Sequence, residues 1–384
     1  MSSGAGAPAT EGKSEAGTRL DFLDALRLLA LGVLIAYHVG MYYGTWDWHV
    51  KSPFAGPALE PWMRLVNPWR MSLLFVISGA VTAILLQGSA PNWLGVRLRR
   101  LGLPLLAGVL VIVPPQSYWQ VVEQMGYGGS YLEFLPLYLG GHGDFCKPAG
   151  PCLTLPTWNH LWFLPYLMVY TLVLWASVLV APSWLERAGL RLSGSLSALT
   201  LLVVPWLVLA AGRLALRPWF EVTHALVDDP LAHAQYLPAF FAGAIFVNTP
   251  GAWPAIARLR VTALLVMLGA WLLLLSVQDA SLPPLRTVYA AQQWAGVIAA
   301  LGFAWVHLNR PKPWLRRLAN RIFAVYVLHQ TLIILLAMAL RPLALPPMAE
   351  GPLLIVGTVM CALALVRLCE TVKPLRPWLG LPRA

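Results

Sequence analysis

Apolar runs separated by short polar breaks set the pattern of this chain. Ten of them approach the ~20 residues that a helix needs to cross a bilayer. They fall at approximately 22–44, 68–87, 101–122, 159–181, 198–216, 233–248, 259–277, 287–308, 321–340 and 352–372. The sixth is short, and the second begins in a segment rich in Pro, Trp and Arg. The pattern predicts an all-α fold: a polytopic transmembrane helix bundle of about ten spans, with both termini on one side.

Composition excludes a soluble fold. The 384 residues are 58% hydrophobic and 11% charged, where soluble domains carry about 25% charged residues. A net charge of +11 invites a nucleic-acid reading, but the basic residues cluster in the gaps between apolar runs. There they report topology. Of the 27 Lys and Arg, 18 fall on the side of the termini and 8 on the other, with Arg27 inside the first span. Acids lean the other way, ten against six. The bias predicts that both termini are cytoplasmic.

Residues 1–18, small, polar and without aromatics, are expected to be a disordered cytoplasmic tail, with no signal peptide. The transmembrane domain is expected over 19–374, and a short cytoplasmic tail over 375–384. Cys146 and Cys152 lie in the long segment 123–158, where a disulfide and free thiols are both open readings. The chain has no P-loop, no Cys-x-x-Cys and no His-Glu-x-x-His, so no metal is expected.

Ionisable residues within spans are expensive and mark function by default. Arg27 and His38 are eleven positions apart on the first helix. Eleven steps of 100° overshoot three turns by only about 20°, with a rise of roughly 16 Å. The two side chains therefore share a face that must line a cavity or a protein interior. Singly, each has a plain structural reading: Arg27 pairs with Asp24, and His38 bonds a neighbouring helix.

Arg27-x10-His38 is followed by FVISG at Phe75–Gly79, Arg97-x-x-Arg100, HLWFLPYLMVY at 160–170 and YVLHQ at Tyr326–Gln330. In that order these segments resemble the acyltransferase-3 membrane family, and the 160–170 segment resembles its glucan succinyltransferase-like branch. Leu74 departs from the second Phe of many members. No extracytoplasmic transferase domain is expected after the last helix, and transfer would then be completed within the membrane or by a separate partner.

The resemblance implies a membrane-embedded O-acyltransferase in a bacterial inner membrane. It would move acetyl or succinyl from cytoplasmic acyl-CoA, a co-substrate, to a hydroxyl of an extracytoplasmic or exported glycan. His38 is then the catalytic candidate, as general base or transient nucleophile. Arg27, Arg97 and Arg100 are donor-binding candidates, since guanidinium suits phosphate; Arg97 and Arg100 also read as topology anchors. His329, Tyr326, His160 and Trp162 are candidates for supporting His38 or for the acceptor side, against interhelical bonding and interfacial anchoring.

Ser78 reads as a packing residue beside Gly79, while His49, His142, His224, His233 and His307 are assigned no chemistry. Expected partners are acyl-CoA, a glycan acceptor and the lipid bilayer, with a homodimer or an extracytoplasmic partner open and no nucleic acid. A membrane transporter or flippase for an anionic or glycan solute, with Arg27 and His38 along its pathway, is the competing function.

Overall fold

A computed structural model describes residues 20–88, 92–148, 150–277, 282–310 and 312–382. The expected tail 1–18 lies outside the described residues. Helices dominate: α1 Asp21–Tyr43, α2 Glu60–Gln87, α3 Trp93–Ala107, α4 Pro114–Met125, α5 Tyr131–Leu139, α6 Phe163–Val180, α7 Trp184–Ser193, α8 Val204–Leu216, α9 Pro230–Val247, α10 Ala252–Ser276, α11 Pro283–Leu308, α12 Pro313–Leu340 and α13 Pro347–Thr371.

Eight helical segments are long and apolar enough to cross a membrane, and they correspond to eight of the ten expected runs. The run near 101–122 folds as α3 and α4 joined by a π-helical turn over Gly108–Ile112. The run near 287–308 is α11, whose Arg, Gln and His residues dilute its apolar character. The most apolar windows of α1, α2 and α12 are each 56% buried, against 17% for α10 and 22% for α8 and α13. The first three form the inner wall. The exposed Leu, Val and Met side chains of α10 and α13 need lipid as their solvent.

The end of the bundle where α1 starts is called here the near end, and the other the far end. Two prolines in span interiors show how the backbone copes without water. Pro68 lies inside α2 and leaves the Arg64 carbonyl without its helical donor. Gln292 of α11 supplies one, its Nε2 donating to the carbonyls of Arg64 at 2.9 Å and Leu65 at 3.2 Å. After Pro104 in α3, the π turn frees further carbonyls. Tyr138 donates to Val109 at 2.9 Å and Thr331 to Ile112 at 2.7 Å.

α2 and α9 meet backbone to backbone. A Cβ on Gly79 would fall on the Phe240 carbonyl, and a Cβ on Gly243 on that of Val76. This close approach is the small-residue packing of membrane helices, and it agrees with the packing role expected around Ser78 and Gly79. Beside it, Phe75 is fully buried among Phe163, Tyr170 and Tyr236. At the far end, Cys146 and Cys152 form a disulfide.

Candidate active site

α1 runs unbroken from Asp21 to Tyr43, so Arg27 and His38 do share one straight helix. His38 stands five residues from its far end. That places it about 7.5 Å from the helix terminus, in the outer third of the helix. Opposite it, α12 supplies His329, and the two rings stack with centroids 5.0 Å apart and planes within 5°.

Hydrogen-bond polarity here follows from the carbonyls at the ends of the chains. A carbonyl can only accept, so His329 donates its Nδ1–H to the Tyr326 carbonyl at 2.5 Å. Its Nε2 therefore carries a lone pair, which accepts from His38 Nδ1–H at 2.9 Å. His38 is left with an unprotonated Nε2, the atom a general base or nucleophile requires. A base oriented through its other nitrogen is a recurrent arrangement in acyl-transfer sites.

His160 is fixed by the same logic. Its Nε2–H donates to the Val327 carbonyl at 3.0 Å, and its Nδ1 accepts from Gln116 at 3.2 Å. Tyr326 returns a bond to the His160 carbonyl at 2.7 Å. Gln116 continues the chain: its Oε1 accepts from Gln330 at 2.9 Å, whose Nε2 also reaches His49 at 2.9 Å. His49 completes it by donating to Gln120 at 2.6 Å. Both nitrogens of His160 are thus engaged in holding the wall, and its ring meets that of His329 edge-on at 5.1 Å.

A cavity of about 230 Å³ opens beside His38, with His160, Trp162 and Tyr326 in its wall. Three of the four supporting candidates therefore converge on it, and His329 stands directly behind His38. Sequence reasoning missed four others that line it: Arg70, Arg213, His224 and Tyr236. The charge count takes both arginines as markers of the side opposite the termini, at the ends of the expected runs 68–87 and 198–216. In the structure Arg70 lies ten residues inside α2 and Arg213 within the last turn of α8.

His224, assigned no chemistry, reaches the cavity because its loop is held in an unusual shape. His224 and Leu226 have φ of 60° and 69°, a left-handed conformation costly for residues with a Cβ. Buried Asp229 accepts from the His224 amide at 2.8 Å and Tyr166 at 2.7 Å, and Tyr166 accepts from the Leu226 amide at 3.0 Å. The imidazole then stacks on Trp162 at 4.0 Å, and burial lowers its pKa to about 4.

The arginines expected to bind a donor stand apart from this cavity. Arg27 pairs with Asp24 at 3.4 Å. Arg97 Nε donates to Thr171 Oγ1 at 3.2 Å, and Arg97 is close enough to feel the charges of both Arg27 and Arg100. The three gather at the near end, roughly 16 Å along α1 from His38. Among the described residues no cluster of three or more His, Cys, Asp or Glu is disposed to hold a metal.

The chain is similar to known proteins along much of its length. Glucans biosynthesis protein C of Salmonella gallinarum is 26% identical over 231 residues, 58% of this chain and 57% of the relative. The protein of that name from Salmonella typhi is 30% identical over 153 residues, 40% and 37% of the two chains. The matches thus span little more than half of these relatives at most. No solved structure matches. The acyltransferase domain characteristic of one family matches residues 20–367, which takes in both clusters and every helix between them: the chain is a multi-pass membrane protein of the acyltransferase-3 family.

Proposed function

We propose that this enzyme moves an acetyl or succinyl group from cytoplasmic acyl-CoA to a hydroxyl of an exported or extracytoplasmic glycan, from a bacterial inner membrane. The observation that carries the reading is the Tyr326–His329–His38 chain, which leaves a basic nitrogen on His38 beside a cavity. The name of the Salmonella relatives supports a glucan as acceptor.

In this reading the near-end arginines Arg27, Arg97 and Arg100 hold the anionic nucleotide of the donor. Its pantetheine arm runs the roughly 16 Å towards His38 and presents the thioester in the cavity. The acceptor enters from the far end, past His160, Trp162 and His224. His38 Nε2 takes the proton of the acceptor hydroxyl as its oxygen attacks the thioester carbonyl. The tetrahedral intermediate expels the coenzyme A thiolate, which recovers that proton from His38. His329 is a positioning residue: it fixes the tautomer and accepts the Nδ1–H throughout. In the nucleophilic variant, His38 Nε2 itself attacks and expels the coenzyme A thiolate, giving an acyl-imidazolium that the acceptor hydroxyl then cleaves, its proton passing to the thiolate and His38 Nε2 being released with its lone pair.

The test uses the protein in nanodiscs with radiolabelled acetyl- and succinyl-CoA and a soluble glucan. Label should pass to the glucan in wild type and fail to do so in folded His38→Ala. Unchanged transfer in that variant would refute the mechanism. Intact-mass detection of an acylated enzyme without acceptor separates the nucleophilic route from the general-base route.

A further inference from the structure

The cavity beside His38 holds more hydrogen-bond donors than removal of one hydroxyl proton uses. The Arg70 guanidinium lies over Tyr37 at 3.3 Å from the ring centroid, and that of Arg213 over Tyr289 at 3.7 Å. Stacking of this kind fixes the plane of a guanidinium while leaving its edge N–H groups unused. Arg213 gives one of them to Gln235 Oε1 at 2.5 Å. Arg70 Nε and Nη1, Arg213 Nε and Gln235 Nε2 remain buried without a hydrogen-bond partner.

All four of these atoms are donors. Among the described residues no carboxylate lines the cavity. Asp229, whose charge acts on both His224 and Tyr236 in the wall, is already committed to Tyr166 and to the amides of His224 and Ala232. An unmade bond to a buried donor costs about 1–3 kcal/mol, and more for a charged group. Two guanidinium groups facing one cavity, with no carboxylate from the described residues in its wall, form a site complementary to oxygen anions.

We infer that Arg70 and Arg213, with Gln235, bind an anionic oxygen group, carboxylate or phosphate ester, on one of the two molecules that meet at His38. The inference rests on the acyl-transfer reading of this cavity. Two sources carry that chemistry: the free carboxylate of a dicarboxylic acyl chain on the donor, or a charged substituent on the acceptor. In either case the arginines grip a part of the substrate that does not react. Binding energy there aligns the reacting carbonyl or hydroxyl with His38 Nε2.

The experiment compares matched charged and uncharged substrates in two arms, using the full-length protein in nanodiscs. The donor arm sets succinyl-CoA against butyryl-CoA; the acceptor arm sets a phosphoglycerol-substituted glucan against the neutral glucan. Arg70→Gln and Arg213→Gln should each reduce the charged-to-uncharged ratio of kcat/KM about thirty-fold, in the arm that carries the anion. A ratio unchanged in both arms overturns the inference.

Calorimetric titration with succinate and with inorganic phosphate reads the site without turnover. Saturable binding of either anion, lost in the double variant that remains folded by size-exclusion and thermal unfolding, supports it. Failure of both anions to bind wild type overturns it. Absence of transfer from every donor, or transfer that survives His38→Ala, would instead refute the acyl-transfer reading, and the titration would still decide the anion site.

Discussion

Arg97 and Arg70 carry the same charge at opposite ends of the bundle, under different physical terms. At the near end, Arg97 is half-buried with a threonine partner, and Arg100 one turn on is exposed. At the far end, Arg70 and Arg213 lie against tyrosine rings with buried N–H groups that have no protein partner among the described residues. The near cluster can capture a flexible, highly charged molecule. The far pair is preorganised, and its free energy improves only when a specific group arrives.

The largest expected effect falls on the far site. Removing the His38 imidazole should lower kcat about a thousand-fold, the usual scale of general-base catalysis. Equilibrium binding of the donor should remain near wild type, because the near arginines are untouched. A matching loss of donor binding would erase the division between the two regions.

The support behind His38 should matter less. His329→Ala is expected to lower kcat about fifty-fold with little change in either KM, since tautomer and orientation suffer rather than binding. His329→Gln, whose amide oxygen can accept from His38 Nδ1–H, should recover much of the loss. Equal damage from both substitutions would mark His329 as a packing residue.

For the near cluster the effect is smaller and of another kind. Arg97→Ala should raise the donor KM about ten-fold, the worth of roughly 1.4 kcal/mol, with kcat little altered. Rising ionic strength should narrow the gap between variant and wild type, as expected for charges in contact with water. A fall in kcat at constant KM would assign Arg97 to the far chemistry instead.

The smallest effect concerns the far-end loops. Burial holds His49 and His224 at about 4, whereas unfolded histidines titrate near 6.5. Between those values the unfolded chain binds more protons, so stability falls as pH drops from 7 towards 4. Thermal unfolding in detergent should shift down by a few degrees between pH 7 and pH 5. His224→Gln should reduce that shift, and an undiminished shift would remove His224 as a source.

Much of this was legible before any coordinates. The spans could be read because length and apolarity decide them, and the family motifs lie on short contiguous stretches. His38, His160, Trp162, Tyr326 and His329 were all within reach for that reason. Arg70 and Arg213 were not. Both lie at the ends of expected runs, where an arginine reads as a topology marker, and α2 continues through Pro68 back to Glu60. What allows this is Gln292, more than two hundred residues away, which takes the freed carbonyls. His224 was hidden because its place depends on a left-handed loop pinned by Asp229 and Tyr166. The tautomer of His38 likewise depends on a carbonyl that only the folded chain brings into position.

The seam between α2 and α9 closes off one route of change. Each added methyl, at Gly79 or at Gly243, would collide with main chain of the other helix and not with the other glycine. A second substitution therefore cannot relieve the first, since neither removes the atom that is struck. The wall bearing Arg70 and the wall bearing Gln235 and Tyr236 are joined at a fixed spacing. Substitution along this seam can exchange the side chains that project into the cavity, but it cannot change the gap between the two helices.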